Sequence, residues 1–417
     1  MKLVPVAYLS SYLLSLLGNS IAGVALPLIV LRVTGSPLGA GVVAAATAVP
    51  AVLAGLLMGV VIDRINRRTS SVVTDLVSAA SIAALPLVDL VSGLSLGWFV
   101  LFGVIGSLGD VPGMTARDAV LPAIVRHGGI ASERIVGIRE ALGAVALLLG
   151  PALAGTLMVL FDGSTVLWIT AATSLAAALL TLLIPRRVGA IVQADGTAAA
   201  TTGSGWAQLR EGWRALFRSP FLVVTTTLSL VSVIVLASMQ GLILPVYFTL
   251  VEQPGMLGFV LTALAAGMLV GGAVYAALGP RGRRRAWFLA GLFGTTLGFG
   301  VIASLASVWV VFAGAFVVGL SSGLFGSLIG LLMIERVPER MRGRIMGTQN
   351  AVMTAAPPAG IVVAAVLSQC AGVRVAAVAL AAVWLVAVVV GLTAPSLRIL
   401  EPETAQVDGD RTVVEDA

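Results

Sequence analysis

Apolar residues run in long uninterrupted blocks along this chain, and polar residues gather in short bursts between them. Twelve blocks can be drawn, over 5–31, 37–61, 70–91, 94–116, 134–160, 164–184, 221–249, 255–279, 286–304, 307–333, 344–369 and 373–394. Each holds about 19 to 29 residues, and at about 1.5 Å per residue a helix of that length crosses a hydrocarbon core about 30 Å thick. Helices apolar on every face have no side suited to water. The pattern therefore predicts an all-α integral membrane protein with twelve transmembrane helices. The first block follows Met1 and Lys2 almost directly, is too long for a signal-peptide core and precedes no small-residue cleavage site, so it is expected to stay in the chain.

Composition agrees. Hydrophobic residues make up 59% of the chain and charged residues 11%, with a mean hydropathy of +1.07, whereas about a quarter of the residues in a soluble domain are charged. A single cysteine, Cys370, excludes an intramolecular disulfide or a thiolate cluster, and a single histidine, His127, excludes a histidine metal site. No phosphate-binding loop or hydrolase signature is present, so neither ATP nor an enzymatic reaction is expected to drive the protein, and no cofactor is implied. The net charge of +6 does not point to nucleic acid, because the basic residues come in bursts between apolar blocks rather than on one solvated face.

Those bursts fix an orientation. With the N-terminus in the cytoplasm, 23 of the 25 basic residues fall on the cytoplasmic side, and only Arg32 and Arg374 fall outside. A miscounted helix would invert every later loop and scramble that asymmetry. Both termini are thus expected to be cytoplasmic.

The chain also repeats itself. D-R-I-N-R-R at 63–68 returns as P-R-G-R-R-R at 280–285, and R-I-V-G-I-R-E-A at 134–141 returns as R-I-M-G-T-Q-N-A at 344–351, after which Gly150 falls on Gly360. The offsets are 217 and 210, so two parallel six-helix halves are predicted. The expected organisation is an N-terminal bundle over 1–185, a cytoplasmic linker over 186–219, a C-terminal bundle over 220–396 and a disordered acidic tail over 397–417. In the linker, Trp206, Leu209, Trp213, Leu216 and Phe217 oppose Arg210, Glu211, Arg214 and Arg218. That spacing predicts an amphipathic helix, lying in the bilayer interface or on the protein's own cytoplasmic face.

The tightest cationic turn, G-V-V-I-D-R-I-N-R-R at 59–68, follows the second helix. Together with twelve spans, two halves and a central loop, this stretch resembles the major facilitator superfamily over essentially residues 1–395. The stretches A-L-P-L-I-V-L-R-V-T-G-S-P at 25–37, L-L-G-P-A-L-A-G at 148–155 and L-F-R-S-P at 216–220 are similar to bacterial twelve-helix drug exporters of the macrolide- and multidrug-efflux type. The resemblance implies two pseudo-symmetric bundles in a bacterial cytoplasmic membrane that rock about a central site. It also implies that Gly59, Asp63, Arg64, Arg67 and Arg68 fasten the halves together at the cytoplasmic gate. The chain departs from the family in two places: Asn66 stands where a Gly is usual, and the stretch 98–115 of the fourth helix lacks the buried Arg of many proton-driven exporters, Arg117 coming too late.

Embedded acids are costly, at about 2.5 to 3.5 kcal/mol on insertion scales, and each requires a partner, water or a protonation role. Asp75, Asp110, Arg139 and Glu140 all lie about 8 to 10 Å from the cytoplasmic ends of their helices. The expectation is a proton-coupling cluster in which Asp110 meets Arg139 or Glu140; a static ion pair or a wet vestibule is the alternative. Asp118, His127 and Glu133 are expected in the loop between the fourth and fifth helices. Polar and aromatic groups near the midplane, Asn19, Met239, Gln240, Phe325, Gln349 and Asn350, are the candidates for the solute pathway, with helix-to-helix hydrogen bonding as the alternative for each. The reading that follows is a monomeric secondary active exporter in the lipid bilayer, a proton antiporter of hydrophobic or cationic small solutes. Export of an endogenous siderophore or lipid-like metabolite, and a non-transporting sensor or scaffold, remain as alternatives.

Overall fold

The computed structural model describes residues 3–62, 65–128, 132–189, 213–214, 216–279, 284–336, 345, 349 and 352–393. Most of the linker, the acidic tail, Asp63, Arg64 and Asn350 lie outside them. Among the described residues the chain is helical, and no strand is present.

The first half comprises α1 (Leu3–Thr34), α2 (Pro37–Ile62), α3 (Arg67–Ser92), α4 (Leu96–Gly128), α5 (Ser132–Leu160) and α6 (Gly163–Leu182). The second comprises α7 (Pro220–Leu250), α8 (Met256–Leu278), α9 (Arg284–Ser304), α10 (Val308–Arg336), α11 (Val352–Ala371) and α12 (Val373–Thr393). Eleven stretches are long and apolar enough to cross a membrane, and α2 adds the shorter apolar stretch Pro37–Ala48 within its 26 residues. The protein is a multi-pass membrane protein.

Helix starts follow local chemistry. The Asn66 side chain accepts the backbone N–H groups of Arg68 and Thr69 and so caps α3, and Asp162 accepts that of Thr165 to cap α6. Asp162 is fully exposed, and the Thr165 hydrogen bonds hold its carboxyl below the ordinary aspartate range. Ser219 caps α7 with Pro220 in the first turn, where a missing N–H costs nothing.

The repeat extends to the backbone. Gly35 joins α1 to α2 at φ +64°, and Glu252, 217 positions on, joins α7 to α8 at φ +57°. Gly93 at φ +74° joins α3 to α4, and Leu305 at φ +44° joins α9 to α10. Positive φ recurs at both junctions in the second half on residues with side chains, which costs the backbone about 1 to 2 kcal/mol per residue.

One helix runs well past its predicted span and one carries an irregular turn. α4 continues to Gly128, well past the expected end at 116, so Arg117, Asp118 and His127 are helical rather than in a loop. Charge ended the apolar block there but not the helix, because Arg117 and Asp118 find ion-pair partners. In α7, Met239–Ile243 form a π-helical turn. Of the predicted amphipathic segment, Trp213 and Phe217 stack 5.5 Å apart, Leu216 is buried and Phe217 is exposed.

The halves interlock at the end away from the Arg-rich turns. There α2 meets α11, α5 meets α8 and α1 meets the end of α7, and among the described residues these are the substantial contacts between halves. A Cβ on Gly41 would lie 2.5 Å from that of Ala365, and one on Gly258 would lie 2.0 Å from the Pro151 carbonyl oxygen and 2.7 Å from the Gly155 Cα. Gly41 and Gly258 are 217 positions apart, and Gly155 and Ala365 are 210 apart, so the two seams are equivalent under the sequence repeat. Ser36 adds a hydrogen bond across the first, donating to the Gln369 Oε1 at 3.0 Å.

Candidate functional site

A cavity of about 510 Å³ lies at the core of the first half, within the size range of drug-like ligand sites. Its walls come from α1 (Asn19, Leu26, Val30), α2 (Val43, Thr47), α3 (Ser78, Ile82, Leu85) and α4 (Phe99, Phe102, Asp110). One helix of the other half, α11, closes it with Thr354, Pro358 and Ile361. The lining is mostly apolar, with hydroxyls from Ser78, Ser81, Ser107, Thr47 and Thr354, and among the lining residues Asp110 is the one ionisable group. By helix position Asp110 sits toward the Arg-rich end, while Val30, Val43, Leu85 and Phe99 lie toward the interlocked end.

Asp110 reaches the cavity because α4 lies almost against α3. A Cβ on Gly109 would meet the Ser78 Oγ at 2.5 Å and the Thr74 carbonyl oxygen at 2.6 Å, and one on Gly113 would meet the Thr74 Oγ1 at 3.0 Å. Two polar rungs cross that seam. The Ser78 hydroxyl donates to the Asp110 carboxylate at 2.5 Å, and Arg117 donates to Asp75 at 2.5 Å. The antiparallel helices are out of step, since Asp110 and Arg117 are about 10 Å apart along α4 while Asp75 and Ser78 are about 5 Å apart along α3. The long arginine side chain reaches back over the difference.

The Asp75–Arg117 pair is deeply buried, with 6% and 4% of the side-chain surfaces exposed. A much smaller cavity of about 10 Å³ lies beside Arg117, lined also by Tyr8, Ser11 and Ser71, which is room for about one water.

A separate group lies nearer the Arg-rich end. Arg139 forms ion pairs with Asp118 and, at 3.0 Å, with Glu140, and its guanidinium sits 4.9 Å from the centre of the Tyr12 ring. Tyr8, one helical turn before Tyr12, donates to the Arg117 carbonyl oxygen at 3.3 Å.

Not all the predicted site residues come together. The expected cluster of Asp110 with Arg139 or Glu140 does not form, because Asp110 faces Ser78 and the cavity while Asp118 takes Arg139. Asn19 lines the cavity, but Met239, Gln240, Phe325 and Gln349 do not. Met239 is buried within α7, the Phe325 ring packs 5.6 Å from that of Phe288, and Gln349 donates to the Thr226 Oγ1 at 2.5 Å. Arg117, Tyr8, Tyr12 and Asp118 were not among the predicted residues. The signal for Arg117 was its spacing in G-D-V-P-G-M-T-A-R, where Gly109, Gly113 and Arg117 follow one another every four residues along one helix face.

Of the cationic turn, Gly59 ends in the last turn of α2, and Arg67 and Arg68 open α3. Arg68 donates to the Leu182 carbonyl oxygen at 2.7 Å, the Arg67 N–H to that of Gly189 at 3.0 Å, and the Asn66 amide to that of Arg186 at 2.8 Å. The turn is thereby anchored to the end of α6.

Two interlocked six-helix halves, with a solute-sized cavity walled by α1–α4 of the first and α11 of the second, have the architecture of a membrane transporter. The model of the Major Facilitator Superfamily matches residues 8–253 and 233–412, and the chain belongs to that family. It is 33% identical to the multidrug efflux pump Tap of Mycobacterium tuberculosis over 410 residues, covering 96% of this chain and 95% of that protein. It is 22% identical to macrolide efflux protein A of Streptococcus pyogenes over 364 residues, covering 86% and 88%. Among solved structures, a mutant of the nucleoside transporter NupG has the same fold, with a TM-score of 0.76 at 12% identity over 93% of this chain and 99% of that one.

Proposed function

We propose that this chain is a secondary active efflux transporter that exchanges protons for hydrophobic or cationic drug-like solutes by alternating access. It acts as a monomer in a bacterial cytoplasmic membrane with both termini inside. Support comes from the efflux pumps it resembles along nearly its whole length. The observation that carries the proton reading is the position of Asp110, the one ionisable group among the residues lining a mostly apolar cavity. A carboxylate there is a counter-ion for a cationic solute and, once protonated, a neutral hydrogen-bonding group, so proton and solute compete for one site. A proton moving inward is worth about 2.3 kcal/mol per 100 mV and about 1.4 kcal/mol per pH unit, enough to concentrate one solute per proton appreciably.

On this reading Asp75, Arg139 and Glu140 belong to flanking ion pairs that position α3, α4 and α5 around the carrier. Gly59, Asp63, Arg64, Arg67 and Arg68 form the gate on the cytoplasmic side, engaged when the halves close there.

The test is flux in proteoliposomes under an imposed pH gradient. Gradient-driven solute movement is expected from the natural chain, and its loss in Asp110→Asn with the protein still folded. Unchanged proton-dependent flux in Asp110→Asn removes that residue from the relay.

A further inference from the structure

We infer that Gly241, which does not touch the cavity, sets its width through Ile361 and so determines how bulky a solute the protein accepts. The inference rests on the cavity being the solute site. Ile361 is one of three α11 residues that line it, and its outer face lies against α7. There the π-helical turn Met239–Ile243 inserts an extra residue, with the Leu244 N–H reaching back five residues to the Met239 carbonyl oxygen. An inserted residue turns everything after it by about 100° relative to an uninterrupted helix. The turn buries Met239, Leu242 and Ile243 and leaves Gly241 opposite Ile361. A Cβ on Gly241 would lie 3.1 Å from the Ile361 Cδ1 and 3.6 Å from the Cγ1.

The neighbouring residue shows how closely α11 is already seated on α7. A Cβ on Gly360 would meet the Ile234 Cγ2 at 2.4 Å and the Ser238 Oγ at 2.7 Å, so α11 already lies directly on α7. A Cβ at 241 would have only Ile361 side-chain atoms within 4 Å and is accommodated by displacing them, and the space on the other side of Ile361 is the cavity. Isoleucine is stiff at χ1, so the contacted Cδ1 yields by turning about χ2, and the open volume beside it is the cavity. A methyl group at position 241 therefore takes room from the solute.

The test uses the purified full-length protein and the tetraalkylammonium ions from tetramethyl to tetrapentyl, which hold charge constant while bulk grows. Gly241→Ala and Gly241→Ser are each expected to weaken binding of the largest ions that bind by about tenfold relative to the smallest, the scale of one methylene in an apolar pocket. Ile361→Ala alone is expected to shift preference toward larger ions. With Ile361→Ala present, Gly241→Ala is expected to have no size-dependent effect, because the coupling runs through the missing side chain. If Gly241→Ala and Gly241→Ser weaken every ion alike, or act equally with and without the Ile361 side chain, the inference is overturned while the cavity reading stands. If the natural chain binds none of the series, or Ile361→Ala leaves the size order unchanged, the cavity reading falls and takes the inference with it.

Discussion

A carboxylate and a guanidinium meeting at 2.5 Å in the interior of a membrane bundle are costly to separate. Removing Asp75 leaves Arg117 charged and unpaired, and breaking a buried pair from one side typically costs about 3 to 5 kcal/mol. Replacing both by apolar residues of similar volume is often neutral. Asp75→Ala is therefore expected to lower the thermal unfolding temperature sharply, and the double variant Asp75→Leu with Arg117→Met to restore most of it. A double variant as unstable as the single one means that the pair stabilises through more than mutual neutralisation. The two embedded acids Asp75 and Asp110 were legible in the sequence because charge stands out in an apolar block. Arg117 was harder to see, because a span ends on paper where a cation begins, and the four-residue spacing from Gly109 and Gly113 gains its meaning from the Asp75 carboxylate opposite. Tyr12 was silent, since an aromatic residue on a membrane helix carries no mark of the guanidinium it lies beneath.

Helices show themselves by composition, and the way they meet shows only where side chains are missing. The twelve spans and the internal repeat could be read from apolar length and two matched basic turns. The seams could be read only as glycines, and nothing in M-Q-G-L-I announces the π turn of α7, which changes the register without changing the composition. The contact of α2 with α11 yields a direct check. Ser36 and Gln369 touch across the halves through the long glutamine arm, so cysteines at both positions, with the adjacent native Cys370 replaced by Ser, are expected to be bridged in the membrane by a short bis-methanethiosulfonate crosslinker. The crosslink is expected to stop flux and a reductant to restore it. Efficient crosslinking with undiminished flux would mean that the α2–α11 seam stays closed throughout the cycle and that the halves part elsewhere.

For the whole molecule, the four cavity helices of the first half and the single α11 wall of the second belong to bodies that must move relative to each other if access alternates. The cavity then has no fixed volume through the cycle: parting of α2 from α11 carries Ile361 and Thr354 away from Phe102 and Asp110. The equivalent seam, Gly258 against Pro151 and Gly155, exists in the state described here and would be lost in one open at that end. A group that acts on one state alone shifts the equilibrium by what it costs in that state. Gly258→Val places branched carbon where 2.0 Å separates a single Cβ from a carbonyl oxygen, so it is expected to push the population toward opening at the interlocked end. With Cys370 replaced, a cysteine introduced at Ala44 on the cavity wall should become more accessible, in the Gly258→Val background, to a membrane-impermeant maleimide added from the side of the α1–α2 turn. Gly326→Val, where a Cβ meets nothing within 4 Å, supplies the control and should leave labelling unchanged. Equal labelling in all backgrounds would separate the α5–α8 seam from the alternation and leave the α2–α11 contact as the moving part.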